Sequence, residues 1–443
     1  MMQTEPNAVV SRFLGISAKS LHTSSAKNED HKLKAKALKY TLQRTAQTLL
    51  YNHEGGKQHR VCSCHRNVAS DGVSVYRDVS GNNARFGNLM TCGSVWSCPV
   101  CAAKITESRR EDLQKAVSNW LLQGSSCLLL TSTFPHEADM PLSELLEKFA
   151  EALQKFKNSR TYKNIFGTSV AASALKSKKN TPLKNIIEGT HPRLGTVRSL
   201  EVSHGVNGWH PHTHEVLFMD DDRLLTDTAA VESLTKAWVV ALINAGLGDE
   251  SKINDMLLRA MDIRGGDYVA DYVNKFGREP VELQGWTIAH EVTKANSKMG
   301  KVGRKFGNEF HYTPFQLLGF ATDGDSVAAE LFKEFSACFE GKRMNYWTNG
   351  LKDWFNINEV EDEDLAVDQE TEKEKEEEFV IRLDGDQWKL VIETNARFEV
   401  LQAAARGGLN SVLSLIEDLK TRPKSYRGWF KDFARPDFSR FFH

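Results

Sequence analysis

The stretch Gly208-Trp209-His210-Pro211-His212-Thr213-His214-Glu215-Val216-Leu217-Phe218 admits few conformations. Histidines at every second position, running into an apolar end, fit a strand. Alternation sends His210, His212 and His214 to one face, while Thr213 and the apolar Val216 and Phe218 tend to the other or to the strand's buried end. Two imidazoles on one face can grip a single divalent ion. Thr196 to Phe218 reads as a β-hairpin turning at Asn207-Gly208, a dipeptide that favours a type I′ turn. That turn sets Glu201 opposite His214 and Ser203 opposite His212. Glu201 then points at the same ion and offers the hard oxygen that magnesium or manganese prefers. His210 competes as third ligand or stands as a neighbour that contacts whatever the ion acts on. The plainer role for Glu201 is a surface carboxylate paired with Arg198.

A second metal signal lies upstream. Cys98 and Cys101 form a CxxC knuckle, with Cys92 shortly before it. A fourth ligand would come from Cys62, Cys64 or His65, across a hairpin-like stretch containing Ser80-Gly81-Asn82-Asn83. Zinc takes four N or S ligands in a tetrahedron, and a structural site is closed by protein alone. Buried free cysteines are the bland alternative. A redox CxxC fits less well, because no thioredoxin-like strand precedes the motif.

Tyr268-Val269-Ala270-Asp271-Tyr272-Val273-Asn274-Lys275 reads as a helix capped by Asp267, with Tyr268, Tyr272 and Lys275 at i, i+4 and i+7. A phenol of ordinary pKa near ~10 attacks phosphorus only when a base, hydrogen bond or cation favours its phenolate. A tyrosine helix beside a histidine-held metal therefore suggests phosphodiester transesterification, although tyrosines packed on an apolar helix are common.

The rest of the chain supplies a setting. Its 443 residues can bury a large core and hold two or three domains. The net charge of −1 conceals a block from Glu359 to Glu378 with twelve acidic and two basic residues. That block is at −10 and the remainder at +9, a balance compatible with nucleic acid. The start, Met1-Met2-Gln3-Thr4-Glu5-Pro6, lacks a basic region followed by an apolar run, and no stretch is long enough to cross a bilayer, so a soluble cytoplasmic protein with reduced thiols is expected. Leu38, Leu42, Leu49 and Leu50 mark a first amphipathic helix. Ile105 to Leu122 and Pro141 to Asn158 read as helices, with Cys127 to Phe134 a buried strand between them. His136 follows that strand as a loop histidine. Val231 to Leu242 forms another covering helix, Ser173 to Pro192 a polar loop, and Trp388 to Leu419 a strand followed by a helix. The acidic block reads as a solvated linker or, more sharply, an autoinhibitory DNA mimic. Beyond Arg422, basic residues alternate with aromatics in a manner suited to single strands or to docking on the core.

The histidine strand and the Tyr-Val-Ala-x-Tyr-Val-Asn-Lys helix together resemble the HUH endonuclease superfamily, and more narrowly its rolling-circle replication initiators (Rep) of plasmids and single-stranded DNA phages. The tyrosine helix is similar to that of phage replication proteins, except that Asp271 stands where they commonly have lysine. Thr91 to Ile105, Thr313 to Gly319, Gly341 to Arg343 and Trp347 to Lys352 resemble one plasmid Rep family, a likeness running from about residue 60 to 355. It implies Cys64 as fourth zinc ligand, with Cys62 the alternative; Glu201, His212 and His214 on a catalytic Mg2+ or Mn2+; Tyr272 as first nucleophile, Tyr268 as second, and Lys275 stabilising the charge. Implied partners are origin DNA, a host helicase and a single-strand-binding protein in a bacterial cytoplasm.

The expected fold is α+β. A tail and helix (1–55) precede a zinc module (56–125), an HUH-type antiparallel sheet with helices on one face (126–320), a helical extension (321–356), the acidic linker (357–380) and a C-terminal region (381–443). A relaxase or transposase on the same site is an alternative, although conjugative relaxases usually carry the tyrosine before the histidines. A zinc-dependent DNA-binding repressor with a dead nuclease site is the alternative outside the enzyme class.

Overall fold

The computed structural model describes residues 37–68, 71–79, 83–136, 140–179, 186–265, 304–306, 309–367 and 377–422. A helix over 37–49 (α1) opens it, followed by strands β1 (Val73–Asp78) and β2 (Ala84–Gly87). The long helix α2 (Pro99–Leu122) leads into β3 (Ser126–Ser132), then α3 (Leu142–Asn158), α4 (Arg160–Phe166) and α5 (Val170–Lys178). The hairpin β4 (Arg193–Gly205) and β5 (Gly208–Met219) comes next, then α6 (Thr228–Ile243), α7 (Ile253–Arg259) and β6 (Met261–Arg264). After the short pair β7 (Arg304–Phe306) and β8 (Glu309–His311) come helices Pro314–Thr322 and Ser326–Phe339, strand β9 (Asn345–Trp347), strand β10 (Glu377–Leu383) and helices Gly385–Glu393 and Arg397–Thr421.

The protein is mixed α and β, with antiparallel sheets. Five strands in the order β6-β3-β5-β4-β9 form the central sheet, and β10-β1-β2 form a smaller one. Both faces of the central sheet are covered, which is why β3 reads as a continuous apolar run. Leu128, Leu130, Leu217 and Met219 pack with Phe149 and Phe156 of α3 and Trp238 of α6. On the other face Leu129, Val197, Val216 and Phe218 pack with Leu113 and Trp120 of α2 and with Leu351 and Phe355. Helices on one face only was the expectation. The second layer arises because the face bearing the histidines turns apolar at Val216 and Phe218 and needs its own cover.

Under the sheet, Glu215 points away from the histidines. It is almost fully buried, accepts from the Lys157 ammonium at 2.6 Å, and lies directly across from Arg198. Burial alone would raise its carboxyl, but Lys157 and Arg198 hold it down at about 2, while burial pulls Lys157 downward. A depressed carboxyl contributes stability that is full above its unfolded value and is lost as pH falls toward about 2. Lys157→Met strands a buried charge and is expected to cost about 3–5 kcal/mol in urea unfolding at pH 7. Glu215→Gln should flatten the loss of wild-type stability between pH 5 and 3, measured in the same way.

Further sequence expectations are corrected. The hairpin turns one residue earlier: Gly205 pairs with Gly208, so Glu201 stands opposite His212, Ser199 opposite His214 and Ser203 opposite His210. A type I′ turn needs positive φ at both Asn207 and Gly208, whereas only Gly208 adopts it (φ 78). The slip is two residues in register, so every side chain keeps its face. Val170–Lys178 is helical where a loop was read from Ser173, because Ser169 caps the helix by accepting from the Ala172 amide. Trp388 lies in a helix, and the strand of this region is β10 just before it. Lastly, the described parts of the acidic block are docked. Glu363 pairs with Arg60, Asp362 with Arg109 and Glu359 with Lys352, while Glu377 and Glu378 of β10 pair with Arg85 and Arg77. The boundary read at 380/381 runs through β10, which pairs with β1.

Candidate metal centres and functional site

On the histidine face, strands β4 and β5 bring three largely buried ligand atoms together. The Glu201 Oε2 lies 3.3 Å from His212 Nε2 and 3.2 Å from His214 Nε2. Ligands on neighbouring positions of one ion, with bonds of about 2.1 Å, stand about 3 Å apart. Glu201, His212 and His214 could therefore hold one metal ion. Each ring is turned so that Nε2 faces the site. His214 Nδ1 hydrogen-bonds Thr131 Oγ1 at 3.1 Å, and His212 Nδ1 donates to the His210 carbonyl at 3.3 Å. Such contacts fix tautomer and orientation in metal sites. Burial would raise the Glu201 carboxyl, yet His212 and His214 hold it well below the usual carboxylate range. Arg198 lies on the other face, across from Glu215, so Glu201 is not its surface partner.

The surroundings fit a hydrated ion. Ser199, beside His214 on β4, has a buried hydroxyl without a partner, and so does the amide of Asn345, its neighbour on β9. These polar groups share the histidines' face, where metal-bound water or a phosphate oxygen could satisfy them.

His210 does not join the group. Its Nε2 meets Thr133 Oγ1 at 2.5 Å, and its ring stacks on His136 with centroids 4.5 Å apart. Burial lowers His136 to about 4, so at neutral pH this stack is uncharged. His311 closes the row, 5.9 Å from the His210 ring, and a Cβ at Gly205 would press on the His311 ring at 3.0 Å.

The cysteine centre lies at the start of α2. Cys64, Cys92, Cys98 and Cys101 are all buried, with sulfur separations of 3.7 Å (Cys64–Cys98), 3.5 Å (Cys64–Cys101) and 3.6 Å (Cys92–Cys101). A tetrahedron with Zn–S bonds of about 2.3 Å has edges of about 3.8 Å, whereas a disulfide would bring sulfurs to about 2 Å. The buried cluster could hold a metal such as zinc. Its sulfurs are placed by the helix: Cys98 caps α2, accepting from the Cys101 amide, with Pro99 as the first helical residue. The sulfurs of Cys101, Cys64 and Cys98, then burial, push the Cys92 thiol up. Cys62 faces away, its sulfur 3.6 Å from the carbonyl oxygens of Gln47 and Leu50. His65 lies outside the sulfur cluster, with positive φ (53) and its ring near Tyr40.

Comparisons with known proteins bear on what these centres serve. A curated protein from Streptomyces lividans named "Protein rep" is 24% identical over 339 residues, 67% of this chain and 71% of that protein. The chain is similar to a Rep protein. It is also 31% identical over 155 residues to a "Neomycin resistance protein" from Streptomyces cyanogenus, covering 33% of this chain and 34% of that one. No protein-family model and no solved structure matches.

Tyr268, Tyr272 and Lys275 lie outside the described residues, and so do the aromatic and basic residues after Arg422. Sequence reading passed over Thr131 and Thr133, although their alternation in Leu130-Thr131-Ser132-Thr133 was a usable sign of two polar side chains on one face. It also passed over Ser199, Asn345, Gln43 and Arg397. No local pattern marks these, since the groups they sit beside lie on distant strands and helices. Among the described residues, no helix is long and apolar enough to cross a membrane.

Proposed function

We propose that this chain is a plasmid replication protein that starts rolling-circle synthesis by nicking one DNA strand and later rejoins the ends. The observation that carries the reading is the convergence of Glu201, His212 and His214 on a strand pair of a chain similar along most of its length to a Rep protein. Bound there, a divalent cation such as Mg2+ or Mn2+ would polarise the scissile phosphate. Glu201, His212 and His214 would hold that ion, and Thr131 keeps His214 in the orientation that turns Nε2 toward Glu201.

In this reading the Tyr272 oxygen attacks phosphorus, the bond to the 3′ oxygen breaks, and the 3′-hydroxyl released primes a polymerase. Lys275 offsets the charge that builds on the phosphorane. The 5′-phosphotyrosyl ester is stored until Tyr268 cleaves the regenerated origin and the stored ester rejoins the ends. Origin DNA, a helicase and a single-strand-binding protein are the partners this scheme requires.

The test uses supercoiled DNA carrying the protein's own replicon, with Mn2+. Open circles and a denaturant-resistant protein–DNA adduct are expected, with the added mass on the tryptic peptide containing Tyr272 and no adduct from Tyr272→Phe. Loss of the adduct only in Tyr268→Phe would reverse the order of the tyrosines. Persistent supercoils with intact DNA binding would overturn the reading in favour of a DNA-binding repressor.

A further inference from the structure

The cysteine centre is backed by a buried cation that lacks a carboxylate. Gln43, fully buried on α1, directs its amide Nε2 at Cys64 Sγ (3.3 Å) and Cys98 Sγ (3.4 Å). Its Oε1 accepts from Arg397 Nη1 at 2.6 Å. Arg397 opens the helix Arg397–Thr421 and is 2% exposed. Its guanidinium lies over the Tyr40 ring at 5.2 Å, and its Nε is without a partner. Among the described residues no carboxylate lies within ion-pair distance of it.

A buried guanidinium needs compensating charge, since removing it from water costs several kcal/mol. Four neutral thiols supply none. Four thiolates around a divalent ion carry −2, and Gln43 stands between that charge and Arg397 as an oriented dipole. Carbonyl oxygen toward the cation and amide hydrogens toward the sulfurs is the favourable direction at both ends.

We propose that Gln43 and Arg397 form a charge-compensating outer shell of the Cys64/Cys92/Cys98/Cys101 centre, so that metal loading and docking of helices 37–49 and Arg397–Thr421 are one coupled event. The centre is then a clasp joining two ends of the chain through charge as well as packing. Gln47 strengthens the α1 side, donating to the carbonyls of Val61 and Cys64 at 3.0 and 2.8 Å. The proposal rests on the cysteine centre holding a metal and is independent of the nicking chemistry.

The test is zinc affinity of the full-length protein, by competition with a chromophoric chelator, alongside hydrogen exchange with and without zinc. Gln43→Leu and Arg397→Met are expected to weaken zinc binding about 10–100-fold, the usual range for losing an outer-shell partner. Gln43→Glu, which sets a carboxylate against the sulfurs, should weaken it further, a result that packing alone would not give. Reciprocally, stripping zinc from the wild type should speed exchange at 37–47 and 397–408. Folded variants with affinity within twofold of wild type would overturn the proposal. If the variants do not fold, the wild-type exchange decides, and unchanged protection at 397–408 after zinc removal would overturn it. Purified protein without bound metal would overturn the metal centre itself, whereas bound metal with unmoved affinities would overturn only the outer shell.

Discussion

His212→Ala is expected, under the proposed nicking function, to lower Mn2+ affinity at least about 100-fold and DNA nicking about a thousandfold while leaving the fold intact, because it would delete one of three ligands from an ion that would supply several kcal/mol of charge stabilisation. His212 belongs to neither apolar core cluster, so its loss removes no hydrophobic packing. His210→Ala is the control, as its ring is held by Thr133 and His136, stacks on His212 and supplies no ligand atom to the three-residue group. Mn2+ titration followed by electron paramagnetic resonance, and nicking of supercoiled replicon DNA, measure the two effects. Equal losses in His210→Ala and His212→Ala would mean that the ion sits further along the histidine row.

Stripping the cysteine centre, or replacing Cys64 by Ser, should destabilise the protein more than any other change considered. A closed four-sulfur zinc site contributes on the order of 10 kcal/mol to folding, comparable with the whole stability of a typical domain. Thermal unfolding with a strong chelator should therefore begin on the order of 10 °C lower or more, and Cys64→Ser should elute without its metal. Cys62→Ser should keep one zinc per chain by elemental analysis, since that sulfur faces the carbonyls of Gln47 and Leu50. Metal loss from Cys62→Ser with retention in Cys64→Ser would reverse the two roles.

What could be read from sequence divides along a physical line. Strand alternation is set by local geometry, so the shared face of His212 and His214 was legible, and Glu201 joined them despite a misread turn because a two-residue slip preserves parity. The choice between Cys62, Cys64 and His65 depends on how residues 60–65 bend, which spacing alone leaves open. The doubly covered sheet was partly legible in Leu128-Leu129-Leu130, whose apolar side chains alternate between two faces. The docking of Glu359, Asp362 and Glu363 was not legible. A run of acids reads as solvated until the positions of Arg60, Arg109 and Lys352 are known.

The pairing of β1 with β10 joins Val73 to Leu383. A ribosome makes β1 and the cysteines early, yet β1 must wait for a neighbour more than three hundred residues downstream. During synthesis the β1 edge that β10 covers therefore has no β10 partner until Glu377–Leu383 is made. Translation that stops before Glu377 leaves that edge for another nascent chain to cover.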